Sequence, residues 1–193
     1  MKLRGLYAIT PEGPGLLDKV QRALEGGVAL LQYRRKREAS RDEAQALLAL
    51  CRRHGVPFIV NDDLALAVEI GADGVHLGRG DGELAAARAK LKGKLLGASC
   101  YDRPELARAA IAAGVDYVAF GSVFASPTKP GAVRAPLSLF EDSPVPRCAI
   151  GGITLDNAPR AIAAGADMVA VISDLFDAPD IAGRAAAYRE LFQ

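Results

Sequence analysis

A chain of 193 residues is long enough for one sizeable core, and a formal net charge of +1 gives it no general attraction to nucleic acid or anionic membrane. Half of the residues are hydrophobic, at 50%, yet no stretch approaches the ~18 continuous apolar residues of a membrane span. Met1 leads into Lys2-Leu3-Arg4 without the apolar run of a signal peptide, and Cys51, Cys100 and Cys148 match neither a disulfide framework nor a metal-ligand spacing. The expectation is a cytoplasmic protein with cysteines used for packing. Its partners should be small molecules, not nucleic acid or membrane, with a homo-oligomer left open.

Strand-like and helix-like runs alternate from end to end. Residues 6–10 read as a strand, after which Leu16, Val20, Ala23 and Leu24 fall on one helical face. Residues 28–33 form the second strand. Ser40-Arg41-Asp42-Glu43 is a capping-box pattern, the helix it opens has Ala44, Leu47, Leu48 and Cys51 on one face, and Gly55 follows as its C-cap. Strand three at 58–61 precedes a helix at 64–70, and strand four at 75–77 precedes one at 84–91. Strand five at 95–99 leads to a helix at 104–113 with proline in its first turn. Strands six, seven and eight are expected at 117–123, 147–150 and 168–172, with helices near 157–164 and at 181–191.

The strand–helix alternation indicates a parallel sheet, either open and doubly wound or closed. An internal repeat separates the two. Glu25-Gly26-Gly27-Val28, Ile70-Gly71-Ala72-Asp73, Ala113-Gly114-Val115-Asp116 and Ala164-Gly165-Ala166-Asp167 each join a helix end to a strand through a glycine. Gly27, Gly71, Gly114 and Gly165 lie 44, 43 and 51 positions apart, two compact units each. Four copies of a double unit suit a single (β/α)8 TIM barrel spanning residues 1–193. The longer last interval holds a loop at 124–136 rich in proline, and long loops in small folds are often functional.

A barrel of this kind works at the C-terminal ends of its strands. Strand two leaves through Gln32-Tyr33-Arg34-Arg35-Lys36, where Gln32, Arg34 and Lys36 alternate and an extended chain would put them on one side. Together with Tyr33 and Arg35 they form a candidate site for an anionic ligand bearing a polar ring. Read alone, the same run is equally a solvated basic stretch. Strand three delivers Asn61, Asp62 and Asp63, and Asp81 follows strand four. Carboxylates on adjacent strands could share one hard cation such as Mg²⁺, whereas a lone Asp pair there would more simply cap the next helix. His76 reads as a packed, hydrogen-bonded residue. Ser99 ends strand five, the long loop carries Ser126, Thr128 and Lys129, and Gly151-Gly152 and Ile172-Ser173 stand where this fold holds phosphate on backbone N–H groups. No nucleophile–histidine–acid constellation is evident.

Tyr7-Ala8-Ile9-Thr10, Gln32-Tyr33-Arg34-Arg35-Lys36, Val60-Asn61-Asp62-Asp63, Gly74-Val75-His76-Leu77-Gly78, Thr128-Lys129, Ala149-Ile150-Gly151-Gly152-Ile153 and Val171-Ile172-Ser173 together resemble the thiamine phosphate synthase family, in colinear order over nearly the whole chain. The resemblance implies a transferase that joins 4-amino-2-methyl-5-hydroxymethylpyrimidine diphosphate to 4-methyl-5-hydroxyethylthiazole phosphate, releasing pyrophosphate. It implies Asp62 and Asp81 as ligands of Mg²⁺. It further implies that Gln32, Arg34, Lys36, Asn61, Ser99 and Lys129 hold the pyrimidine diphosphate, with Lys129, Arg34 and Ser99 acting on the departing group. Ser126, Thr128, Gly152, Ile172 and Ser173 would hold the thiazole phosphate. Three positions depart from the family pattern: Arg79 for glutamine, Gly80 for a polar or acidic residue, and Ser126 for threonine. A related thiazole tautomerase would lack the two carboxylates and carry histidine where this chain has Ser122. A phosphate-binding regulator without activity is the third alternative.

Overall fold

In the computed structural model, residues 3–36, 39–80, 82–125 and 133–193 are described. Eight strands follow one another: β1 Gly5–Ile9, β2 Leu30–Tyr33, β3 Phe58–Asn61, β4 Gly74–Leu77, β5 Leu95–Tyr101, β6 Tyr117–Phe120, β7 Arg147–Ile150 and β8 Met168–Val171. Between and after them come α1 Leu16–Gly26, α2 Arg41–His54, α3 Leu64–Glu69, α4 Leu84–Leu91, α5 Pro104–Ala112, α6 Ala158–Ala163, α7 Ser173–Phe176 and α8 Ile181–Glu190. A 3-10 helix, Leu137–Phe140, stands between β6 and β7. Every strand pairs in parallel with its neighbours in sequence, and β8 pairs with β1, closing the barrel. Among the described residues, no helix is long and apolar enough to cross a membrane.

Local signals act where the sequence puts them. Ser40 Oγ accepts from the Glu43 N–H at 3.3 Å to start α2, and Gly55, at φ 67°, ends it by donating to Arg52 O. The repeated glycines Gly27, Gly71, Gly114 and Gly165 all have φ between 71° and 106°, a region that admits glycine readily. The aspartate two residues beyond three of these glycines explains the repeat. Asp73, Asp116 and Asp167 each stand at the entry to an even-numbered strand. Their carboxylates accept from the N–H of Phe58, Leu96 and Arg147, at 2.9, 2.7 and 3.0 Å. Each therefore fastens a new strand to the start of the one before it. Ala29 occupies the fourth copy and keeps only the backbone half of the contact, donating to Leu6 O at 2.9 Å.

Side chains of alternate residues separate two cores. One lies between barrel and helices, built from Leu6, Leu31, Phe58, Val75, Leu96 and Val169 against the helix faces. The other fills the barrel with Tyr7, Leu30, Ile59, Tyr117, Cys148 and Met168. All three cysteines are buried and free, and burial raises the Cys51 and Cys100 thiols to about 12. They pack and do not react.

Several boundaries differ from the periodicity: β2 begins at Leu30 instead of 28, and β5 runs on to Tyr101 instead of stopping at 99. β6 stops at Phe120 instead of running to 123, because residues 121–124 lean onto the β7 exit, with Val123 N donating to Ile150 O and Phe124 N to Gly151 O, both at 3.0 Å. Ser122 therefore lies beyond the strand. The short α7, which no helical periodicity announces, begins directly after β8.

Asp167→Ala should lower the unfolding free energy by about 2 kcal/mol, since a charge-assisted hydrogen bond to Arg147 N is lost at a half-buried site. Urea denaturation of the variant checks this, and a midpoint equal to that of the parent chain would contradict it.

Candidate active site

The C-terminal mouth of the barrel gathers the ends of all eight strands. At the end of β3 the two adjacent aspartates divide their duties. Asp63 caps α3, its Oδ1 accepting from Leu66 N at 2.8 Å. Asp62 is exposed, and its backbone is held at φ 64° in the left-handed region, a conformation unusual for any residue with a side chain. Its N–H donates to His76 O at 2.8 Å, and Asn61 Nδ2 donates to Asp62 Oδ2 at 2.6 Å. A carboxylate presented in this way at the mouth, with an amide beside it, offers the oxygen donors that a hard cation takes. The other proposed ligand, Asp81, lies outside the described residues. Gly80 and Gly82 on either side of it have φ of 94° and 114°. Arg79, one of the departures from the family pattern, lies over the Tyr101 ring at 5.4 Å, and its backbone N–H donates to Tyr101 Oη at 3.1 Å. That contact ties the β4 exit to the end of β5.

Gln32 is almost fully buried, facing the barrel interior, and its Nε2 donates to Tyr7 Oη at 2.7 Å. Tyr7 Oη meets Tyr117 Oη at 2.7 Å, Tyr117 Oη meets His76 Nδ1 at 3.0 Å, and His76 Nε2 meets Ser99 Oγ at 2.9 Å. Five side chains from five strands thus form one polar string through the barrel interior. His76 is the packed, hydrogen-bonded residue expected from its place within a strand.

The rest of the β2 exit behaves differently from a simple alternation, because β2 ends at Tyr33. Tyr33 points into the helix shell, where its hydroxyl donates to Glu43 Oε2 at 2.9 Å. Arg35 also turns to Glu43, at 2.8 and 2.6 Å, and reaches Pro11 O at 2.9 Å. These two residues brace the β2–α2 loop and do not line the mouth. Arg34 is fixed through its backbone, with Thr10 Oγ1 accepting from its N–H at 2.9 Å and donating to its carbonyl. Lys36 is exposed, and its N–H donates to Glu12 Oε1 at 2.9 Å.

Across the mouth, Gly151 and Gly152 take φ of 95° and 64°, and a Cβ at either would strike the 121–125 segment. Asn157 orders this turn by accepting from Thr154 N at 2.9 Å and donating to Gly152 O at 2.8 Å. Ile172 packs on the inner core and serves as the residue before α7, whose first residue, Ser173, is exposed. Asp174 joins the two halves: its Oδ2 accepts from Leu155 N at 3.2 Å, Arg184 Nη1 at 2.8 Å and Tyr188 Oη at 2.7 Å. Burial and this carboxylate push the Tyr188 phenol far up, so it stays a donor. Ser126, Thr128 and Lys129 lie outside the described residues.

Sequence reasoning assigns no site role to Tyr7, Tyr117, Asn157 or Asp174. For the tyrosines the available signal is the two-residue alternation, which puts Tyr7 and Tyr117 on the inward face with Ile9 and Ala119. For Asp174, position in the first turn after β8 is the only hint.

Fold and mouth together define a closed (β/α)8 framework whose C-terminal face presents a carboxylate and an amide after β3 and a glycine turn after β7. Residues 6–175 match the family described as thiamine monophosphate synthase. The chain is 59% identical to the thiamine-phosphate synthase of Aromatoleum aromaticum, over 99% of its length and 97% of the relative's. It is 53% identical to that of Thioalkalivibrio sulfidiphilus, over 100% and 97%. Among solved structures, thiamine phosphate pyrophosphorylase from Pyrococcus furiosus superposes with a TM-score of 0.87 at 33% identity, covering 98% of this chain and 96% of that one. A 3-hexulose-6-phosphate synthase, at 18% identity and a TM-score of 0.76, shares the fold. The chain belongs to the thiamine monophosphate synthase family and is an enzyme of that family.

Asp174→Ala should cost about 2–3 kcal/mol of stability, because three donors lose one acceptor. It should also speed amide exchange at Leu155 before the core opens. Unchanged exchange there would separate Asp174 from the ordering of the β7 and β8 exits.

Proposed function

We propose that this chain forms thiamine phosphate by joining 4-amino-2-methyl-5-hydroxymethylpyrimidine diphosphate to 4-methyl-5-hydroxyethylthiazole phosphate. In this reaction the bond from the pyrimidine methylene carbon to the diphosphate oxygen breaks, and that carbon bonds to the thiazole nitrogen. Pyrophosphate leaves with the bonding electrons. The amino group of the pyrimidine spreads the positive charge left on the carbon, so no protein nucleophile is required. The chain's tasks are to hold two anions, order the ring between them and exclude water.

The observation that carries the reading is the left-handed Asp62 beside Asn61 at the same mouth as Gln32 and Ser99. Gln32, Asn61 and Ser99 would order the pyrimidine diphosphate, with Arg34, Lys36 and Lys129 opposing its charge. Gly152, Ile172 and Ser173, through backbone groups, and the hydroxyls of Ser126 and Thr128 would hold the thiazole phosphate. Asp62 and Asp81 would hold Mg²⁺, which when bound supplies positive charge against the departing diphosphate. The carboxylate at 62, and serine instead of histidine at 122, favour this reading over tautomerisation.

Incubation with both substrates, with and without Mg²⁺, tests the proposal by formation of thiamine phosphate and an equal amount of pyrophosphate. Asp62→Asn should lower turnover on the order of 100-fold or more, with a melting temperature close to the parent's. Full turnover in that variant would remove Asp62 from the site. Lys129→Ala should slow a single turnover while leaving the dissociation constant of the thiazole phosphate unchanged. A loss confined to that affinity would place Lys129 on the other substrate.

A further inference from the structure

The polar string inside the barrel has a property that its separate contacts do not. Gln32, Tyr7, Tyr117 and His76 are each nine-tenths or more buried, and Ser99 is half-buried at the end of the string. Gly97 admits it: a Cβ there would fall on the Tyr117 phenol and on His76 Nδ1. Each phenol carries one proton, which burial keeps in place by pushing both tyrosines up. A neutral imidazole also carries one. With one proton per link, the donors must all run in one direction.

Two orders are therefore available. In the first, Gln32 Nε2 donates to Tyr7, Tyr7 to Tyr117, and Tyr117 to His76 Nδ1, while His76 Nε2–H donates to Ser99. This turns Gln32 Oε1 away from Tyr7 as an acceptor and frees the Ser99 O–H to donate. In the second order every bond reverses, the Gln32 amide flips to show its NH₂, and Ser99 spends its proton on His76. An anion at Ser99 has no proton to give, so with a single proton on the His76 ring it is compatible with the first order only.

We propose that Tyr7, Tyr117 and His76 are positioning residues that couple the two ends of the string, so that an anion held at Ser99 commits Gln32 to accept from an amino group. The site would then select an amino-bearing heterocycle over its oxo counterpart at a position the anion never touches. This rests on the assignment of Gln32 and Ser99 to the pyrimidine diphosphate. It adds three residues to that assignment, together with the direction of the protons between them.

Two measurements test it. The first is ¹⁵N NMR of the histidine rings in the intact protein with inorganic pyrophosphate and Mg²⁺. The chain has 2 histidines, so a His54→Gln variant assigns the His76 signals. A neutral His76 protonated on Nε2 is expected. A ring protonated on Nδ1, or on both nitrogens, would overturn the proposal. The second is the ratio of kcat/KM for the 4-amino substrate to that for its 4-oxo analogue. The parent chain should favour the amino form on the order of 100-fold or more. Tyr117→Phe, which removes one proton and no ring, should cut the ratio about tenfold or more, with KM for the thiazole phosphate little changed. A folded Tyr117→Phe that keeps the ratio would overturn it, and Tyr7→Phe repeats the test if the first variant does not fold. Absence of thiamine phosphate from the parent chain would refute the reaction and leave the tautomer measurement to decide the proton order.

Discussion

Closure of the sheet between β1 and β8 is the constraint on which the rest depends. In an open sheet, β1 and β8 would have different neighbours and the strand exits would not surround a common space. Pairing of Leu6 with Val169 and Tyr7 with Ala170 brings β1 beside β8. The β3 carboxylate, the β5 hydroxyl and the glycine turn after β7 then face one another across a single mouth. Closure also seals the interior, so whatever polar groups the inward positions carry must satisfy one another. The string from Gln32 to Ser99 answers that requirement.

Hydrocarbon at Tyr7, Tyr117 and His76 would meet the same packing demand with less at stake. A buried polar network is costly when any member is unsatisfied, and it holds its members in a unique arrangement when all are paired. Here the network runs through the barrel interior toward the mouth, and the residues at its two ends, Gln32 and Ser99, are those proposed above for one substrate. Beside it the barrel filling is apolar, with Leu30, Ile59 and Met168. At the strand entries, Asp73, Asp116 and Asp167 stabilise in another way, by pinning β4, β6 and β8 each to the strand before it.

Much of the architecture can be read from the chain, because closed barrels repeat a short grammar. The glycines at 27, 71, 114 and 165 mark the strand entries, and their regular spacing points to eight units. The structure adds the reason for the aspartates within that repeat. Periodicity misses places where the backbone obeys tertiary contacts: β6 ending at Phe120, and the four-residue α7 that carries Asp174. At the site, Gln32, Asn61, Asp62 and Ser99 can be found because each lies at or near a strand end. Tyr33 and Arg35 group with the mouth in sequence because a basic run after a strand looks uniform there. Glu43, eight residues beyond Arg35 on α2, and Pro11 O at the β1 exit take up the Arg35 guanidinium. Partnerships of this kind depend on how a helix folds back over its strand, and no local pattern records them.

The central claim is that one mouth binds both halves of thiamine phosphate and the pyrophosphate released with it. A crystal structure of the protein with thiamine phosphate, pyrophosphate and Mg²⁺ tests it most directly. The account predicts the pyrimidine beside Gln32, the thiazole phosphate on the backbone of Gly152 and Ser173, and pyrophosphate between Asp62 and Ser99. Ligands bound at the opposite end of the barrel, or a thiazole phosphate remote from Gly152 and Ser173, would contradict it.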